Sequence, residues 1–286
     1  MLAEGLDEMM DELKNIDDQV EDIEVDIEDL DKAAYAVPDT DEGYRAILKE
    51  RFGHDDFLEG QLEAIKILTQ KRKNALVVLA TGGGKSLIYQ YTAQFMPGLI
   101  LVVTPLISLM TDQLGKLPDF MPGACINSQQ SFPVKQAVLG AIRHKQIKVL
   151  FITPERFFTE DLGKYGRRIS MVCVDEIHCA SEWSHNFRPT YLMLHEMISE
   201  KLGPSCRVLG LTATATKSTQ RQICSLFDIA YPEHLITQPD LSRLNLQLSI
   251  TRDQNKTKAL MTLLKSDSYK GLTSILLFAT QRRTAD

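Results

Sequence analysis

The sequence predicts an α/β fold built on a mostly parallel sheet flanked by helices, and three observations carry that expectation. Short apolar runs recur at Ala75 to Leu79, Leu99 to Thr104, Val149 to Thr153, Met171 to Val174 and Val208 to Thr212. They are continuous rather than alternating, which is the pattern of strands covered on both faces. Segments with helical spacing separate them, among them Lys135 to His144 and Pro189 to Lys201. Strands that alternate with helices imply parallel pairing. The third observation is Ala80-Thr81-Gly82-Gly83-Gly84-Lys85-Ser86, a glycine-rich turn between the first apolar run and Leu87-Ile88-Tyr89-Gln90-Tyr91, which opens a helix.

Taken in order, the chain begins with Leu6, Met9, Leu13, Ile16, Val20, Ile23, Ile27 and Leu30, an unbroken 3,4 spacing that predicts a heptad helix. Glu12, Asp17, Glu24, Asp26 and Asp31 flank that seam. A parallel homodimer would set these like charges against each other, so a basic partner helix or the protein's own basic surface suits the seam better. A solvated acidic helix with no partner is the alternative. Pro38 and the Asp39 to Gly43 run read as a linker. From Tyr44 to Leu68 the pattern is helical around a polar turn at Gly53-His54-Asp55-Asp56.

The 286 residues suffice for one large domain or two, and 44% apolar with 24% charged residues is ordinary for a globular chain. The net charge of -6 is unevenly placed. Residues 1 to 42 hold 17 of the acidic residues and only Lys14 and Lys32 as bases, a balance of -15, which leaves +9 on the remainder. That surplus suits a polyanion partner. The five cysteines form no C-x-x-C pair, which argues for reduced, buried thiols and against a zinc site. No apolar run reaches the ~18 residues of a membrane span, and the acidic start lacks a signal-peptide pattern. The expectation is a soluble intracellular protein with no membrane contact.

The glycine-rich turn has a chemistry of its own. Thr81, Gly82, Gly83 and Gly84 let the backbone turn tightly and aim N–H groups at a polyphosphate, with the helix N-terminus adding partial positive charge. Lys85 would reach the β- and γ-phosphates of ATP, and Ser86 would ligate Mg²⁺. The full phosphate-loop pattern wants glycine where this chain has Leu79. Asp175-Glu176-Ile177-His178 follows the Met171 to Val174 run, at the strand end where open α/β sheets bind ligands. There Asp175 is the natural Mg²⁺ partner and Glu176 the group that orients an attacking water. His178 would sense the γ-phosphate.

With these motifs, the chain resembles superfamily-two helicases. Thr104-Pro105-Leu106-Ile107-Ser108-Leu109-Met110-Thr111-Asp112-Gln113 looks like the first strand-gripping motif, Thr153-Pro154-Glu155-Arg156 like the second, and Thr212-Ala213-Thr214-Ala215-Thr216 like the coupling motif. Cys179-Ala180-Ser181-Glu182-Trp183-Ser184-His185-Asn186-Phe187-Arg188-Pro189 resembles the aromatic-rich loop of RecQ-type DNA helicases, and its wording is nearest to the Rothmund–Thomson branch. The family usually has Ala at 177, Gln at 182 and Gly at 184. Its adenine-reading motif carries an arginine that Phe57-Leu58-Glu59-Gly60-Gln61 lacks, although Gln61 still suits the adenine edge.

The resemblance covers roughly residues 44 to 286 and implies an ATP-dependent 3′ to 5′ DNA helicase that acts in the nucleus in repair, recombination or replication. ATP and Mg²⁺ are its cofactors, and single-stranded and duplex DNA its partners. Thr104, Pro105, Ser108, Thr153, Arg156, Trp183, His185, Phe187, Arg188, Thr212 and Thr214 are then the DNA-binding or coupling residues. Trp183 suits base stacking. The expected organisation is an acidic arm over 1–42, a first RecA-like lobe over 43–235, a connection over 236–270 and the start of a second RecA-like lobe over 271–286, with Ser274 to Ala279 as its first strand. Two alternatives stand beside this reading. One is an RNA helicase of the Asp-Glu-x-His type; the other is a nucleotide-binding interaction module that does not turn over.

Overall fold

The computed structural model describes residues 33–181, 188–204, 206–238, 246–267, 269 and 271–278. The predicted heptad helix lies outside them. Seven strands, β1 (Ala75–Val78), β2 (Leu99–Val103), β3 (Gly123–Ile126), β4 (Val149–Ile152), β5 (Ile169–Val174), β6 (Arg207–Thr212) and β7 (Leu235–Thr237), form one sheet in the order β3-β4-β2-β5-β6-β1-β7. Every pairing is parallel. Alternate residues of each strand enter opposite clusters. Leu76 and Val78, Leu101 and Val103, and Val172 and Val174 pack on one face. Ala75 and Val77, Ile100 and Val102, and Met171 and Cys173 pack on the other. Burying each such Val, Leu or Ile contributes about 1.5–3 kcal/mol, and two covered faces explain the continuous apolar runs.

Five of these strands coincide with the predicted runs; β3 and β7, at the two edges, were not foreseen. β7 pairs with β1, with Leu76 opposite Leu235, so the sheet runs past the expected lobe boundary at 235. The Asp39 to Gly43 run is not a linker. The Thr40 hydroxyl accepts from the Gly43 N–H and caps helix α1 (Asp41–Phe52), whose first turn gains from Asp41 and Glu42 at its positive end. Gly53, at φ 71, ends it in the left-handed region.

Helix α2 (Gln61–Thr69) precedes β1, α3 (Lys85–Thr92) follows it, and α4 (Ile107–Leu114) follows β2. Beyond β3 comes α5 (Phe132–Arg143), and beyond β4 comes α6 (Pro154–Thr159). The single helix expected over Pro189 to Lys201 is two, α7 (Pro189–Leu192) and α8 (Leu194–Leu202), divided at the exposed Met193. The Lys201 ammonium donates to the carbonyls of Phe157, Phe158 and Glu160, each at 2.8 Å, and so closes the C-terminal end of α6. Helix α9 (Lys217–Leu226) is capped by the Thr216 hydroxyl. The five cysteines are free, four of them buried. No helix among the described residues is long and apolar enough to cross a membrane.

Contacts divide the chain into one unit to Leu241 and a second over Ser242–Asp286. The second unit has one described helix, α10 (Lys256–Leu264), capped by the Asn255 side chain. Ser274 to Phe278 is not a strand, contrary to expectation. A strand requires a paired edge, none of the described residues supplies one, and Leu276 and Phe278 are largely exposed.

Candidate nucleotide and nucleic-acid site

The glycine-rich turn leaves the C-terminal end of β1. Gly82 (φ 83) and Gly84 (φ 66) occupy the left-handed region, where a side chain would be strained. A Cβ on Gly84 would also stand 2.3 Å from Gln61 Nε2. The reason is a latch: Gln61, buried at the start of α2, donates from Nε2 to the Gly84 carbonyl at 2.9 Å and accepts at Oε1 from the Leu58 N–H at 2.8 Å. The sequence placed Gln61 at an adenine edge; in the structure its amide joins the 57–61 motif to the glycine-rich turn. Gln238, just past β7, accepts from the Ala80 N–H at 3.1 Å and steadies the other end of the turn. Lys85 opens α3, and its ammonium donates to the carbonyls of Leu79 at 3.0 Å and Ala80 at 3.2 Å. Burial lowers the Lys85 pKa, while the carboxylates of Glu176 and Asp175 oppose that shift. Ser86 follows in the first turn of α3 and Thr81 is exposed.

The Asp-Glu box stands two strands away, at the end of β5, with β6 between. Asp175 is 8% exposed, and its backbone is fixed by Asp175 N–H to the Val103 carbonyl at 2.8 Å and Tyr191 hydroxyl to the Asp175 carbonyl at 3.0 Å. Its Oδ1 accepts from the Glu176 N–H at 3.0 Å and its Oδ2 from Gln113 Nε2 at 3.0 Å. Burial, and then the neighbouring Glu176 charge, raise the Asp175 pKa. Glu176 sits at φ 49, an unusual conformation for a side-chain-bearing residue and a cost of roughly 1–2 kcal/mol. The hydrogen bond to His178 holds its carboxyl below the usual range despite burial.

His178 Nδ1 lies 3.1 Å from Glu176 Oε2 and 2.8 Å from Thr212 Oγ1. The Cys179 thiol and the Glu176 carboxylate push the imidazole up to about 9. Thr212, buried at the end of β6, also accepts from the Thr214 N–H at 3.2 Å, so the box and the Thr212 to Thr216 motif meet through one hydroxyl. Ile177 is buried against Gly210 of β6, where a Cβ would stand 2.6 Å from the isoleucine Cδ1.

The stretches read as strand-gripping are split by depth. Pro105 and Ser108, with Thr111 and Asp112, line an open groove of about 910 Å³, whereas Thr104 is fully buried and its hydroxyl makes no hydrogen bond. Thr153 is buried at the N-terminus of α6, and Arg156 pairs with Glu160 at 3.4 Å. Arg188 reaches the Pro105 carbonyl at 3.2 Å through its guanidinium and the Cys179 carbonyl at 2.9 Å through its N–H. Ser181 donates to Gln222 of α9 at 2.6 Å. Trp183, His185 and Phe187 lie outside the described residues. Tyr191 and Gln238 were not foreseen in the site; each acts on a backbone group far along the chain, and nothing local marks them.

No cluster of three or more His, Cys, Asp or Glu suited to a metal occurs among the described residues. A divalent cation held by Ser86, Asp175 and phosphate oxygens needs no such cluster. Asp175, a carboxyl whose charge is disfavoured by burial, fits that cation as its counter-charge.

Against known proteins, the DEAD/DEAH box helicase family matches residues 58–223. The chain is 37% identical over 278 residues to ATP-dependent DNA helicase Q-like 5 of Arabidopsis thaliana, covering 96% of this chain and 30% of that protein. It is 39% identical over 247 residues to ATP-dependent DNA helicase Q4 of Mus musculus, covering 82% and 20%. With ATP-dependent DNA helicase RecQ of Bacillus subtilis it shares 32% over 245 residues, covering 85% and 40%. The chain thus spans less than half the length of these curated relatives. In fold it is similar to the Hef helicase domain of Pyrococcus furiosus, with a TM-score of 0.50 at 20% identity over 66% of this chain and 39% of that one. The DUF1998 helicase MrfA gives a TM-score of 0.53 at 18% identity over 71% and 33%.

Proposed function

Because this chain belongs to the DEAD/DEAH box helicases and is similar in sequence to RecQ-type enzymes, we propose that it is the ATP-binding lobe of a DNA helicase that couples ATP hydrolysis to movement along a single strand. The observation that carries this reading is the placement of three motifs at the C-terminal ends of adjacent strands. Lys85 follows β1, Thr212 ends β6 and Asp175 follows β5, and Lys85 feels the charge of both box carboxylates.

Each residue then has a task. The turn from Thr81 to Gly84 offers backbone N–H groups to the phosphates, and Lys85 exchanges its two carbonyl partners for phosphate oxygens. Ser86 and Asp175 hold Mg²⁺, which when bound neutralises charge that develops on the phosphates. Glu176, ionised and held by His178, orients the attacking water. His178 hands the state of that water to Thr212 and Thr214 through the shared hydroxyl.

The groove at Pro105 and Ser108 takes one strand of nucleic acid, with Arg188 bracing its wall; Trp183, His185 and Phe187 are assigned to the same strand by the likeness of their motif. Thr104, Thr153 and Arg156 are assigned to DNA binding or coupling by the likeness of their motifs. DNA rather than RNA is favoured by the aromatic-rich stretch after the Asp-Glu box and by the similarity to proteins named as DNA helicases. A 3′ to 5′ direction, work in DNA repair and a nuclear location accompany the RecQ likeness, and the acidic segment 1–42 would meet a basic partner.

Titration with a fluorescent Mg·ATP analogue and with oligothymidylate, and ATP turnover with single-stranded DNA, RNA of equal length or neither, test the reading. We expect nucleotide binding that Lys85→Ala abolishes, DNA binding, and stimulation by DNA above RNA. Nucleotide affinity unchanged in both Lys85→Ala and Asp175→Ala overturns the site.

A further inference from the structure

The helix that lines the strand groove also touches the Asp175 carboxylate. Along α4, Ser108, Thr111 and Asp112 are spaced to share one face, and that face lines the groove. Met110, Gln113 and Leu114 share the opposite face, with Met110 fully buried. From that inner face Gln113 Nε2 donates to Asp175 Oδ2 at 3.0 Å, and Gln113 Oε1 accepts from the Tyr89 hydroxyl at 3.2 Å. Tyr89 is buried on α3, three residues after Ser86 in the same helix. A continuous hydrogen-bonded chain therefore runs from Tyr89, on the helix that Lys85 and Ser86 open, through Gln113 to Asp175.

We propose that Gln113 is a positioning residue that couples occupancy of the strand groove to the presentation of Asp175 at the nucleotide end of the site. The inference rests on the function proposed above. A helix of eight residues moves as one body, so a strand pressed on its outer face displaces the inner amide. The amide fixes which way the Asp175 carboxylate points, because the other carboxylate oxygen is already held by the Glu176 N–H. Coupling of this kind is reciprocal: DNA alters nucleotide affinity by the factor by which nucleotide alters DNA affinity.

The test is a linkage measurement on the full 286-residue chain, using a fluorescent non-hydrolysable Mg·ATP analogue with and without saturating oligothymidylate. In the wild type the two affinities should differ by about 5-fold or more, the lower range of allosteric coupling. Gln113→Met keeps the length of the side chain and removes both hydrogen bonds; its ratio should fall below ~2-fold while each ligand still binds. Tyr89→Phe should lower the ratio partly, and should lower it no further in the Gln113→Met background. A merely structural role would weaken both ligands and thermal stability together and leave the ratio intact. A wild-type ratio retained by Gln113→Met overturns the inference and leaves the proposed function standing. So does a wild-type chain that binds both ligands with no coupling. A chain that binds neither ligand overturns both.

Discussion

Replacing Gln61 by alanine separates a residue that shapes the phosphate loop from one that reads a base. Gln61 makes two hydrogen bonds, at 2.8 Å to the Leu58 N–H and 2.9 Å to the Gly84 carbonyl. Each contributes about 0.5–1.5 kcal/mol net, so the pair is worth about 1–3 kcal/mol. Leu58 is exposed, so water can serve its N–H and the cost stays inside that range. Urea unfolding of Gln61→Ala should show that loss. The second measurement uses inorganic tripolyphosphate, which has no base. Gly84 is released in the variant and the loop must be ordered on binding, so tripolyphosphate affinity should drop about tenfold, equivalent to ~1.4 kcal/mol. Unchanged stability and unchanged tripolyphosphate affinity, with a loss confined to ATP, would refute the latch and leave Gln61 as a base reader alone.

Three further outcomes follow from the same geometry. The folded His178 pKa of about 9 lies above its ordinary value near 6.5, so the imidazole stabilises the fold fully below pH 6.5 and the gain is lost as pH rises through 9. With Glu176 partly solvated this amounts to about 1–2 kcal/mol, and urea midpoints at pH 6 and pH 9 should converge in His178→Asn. Trp183→Ala should lose about 1–3 kcal/mol of single-strand affinity in a DNA titration and keep its nucleotide affinity. Gly210→Ala should destabilise by about 1–3 kcal/mol in thermal unfolding, because its methyl meets Ile177, and Ile177→Ala in the same chain should restore much of that loss.

The central strands and the two motifs that the structure brings to neighbouring strand ends were legible because their signals are local. A run such as Leu99 to Val103 declares itself by continuous apolarity, and a glycine turn before Lys85 and Ser86 by its residue types. The edges were not. In β3 only Ile126 is fully buried, and β7 has three residues, of which Thr237 is exposed. The Asp39 to Gly43 run has the composition of a linker, and only the Thr40 cap shows that a helix begins there. Within the site, Gln113 stood inside a motif already recognised, but its bond to Asp175 joins segments 62 residues apart. No periodicity or spacing reports such a bond.

The sheet order has a consequence for synthesis. β1 leads into the glycine-rich turn, yet its two neighbours, β6 and β7, are made long after it, with Ala75 opposite Leu209 and Leu76 opposite Leu235. Strands β2, β4 and β5 lie side by side and can pair once Val174 has emerged from the ribosome. The strand before the glycine-rich turn waits with both edges open until β6 is made, and with one edge open until the chain has been extended through Thr237. Loop closure over so many residues is slow, and open apolar edges invite wrong partners. The first-made strand of the sheet is therefore the last to have both its neighbours, and the turn that follows it is held at both ends only after Gln238, just past β7, has been made.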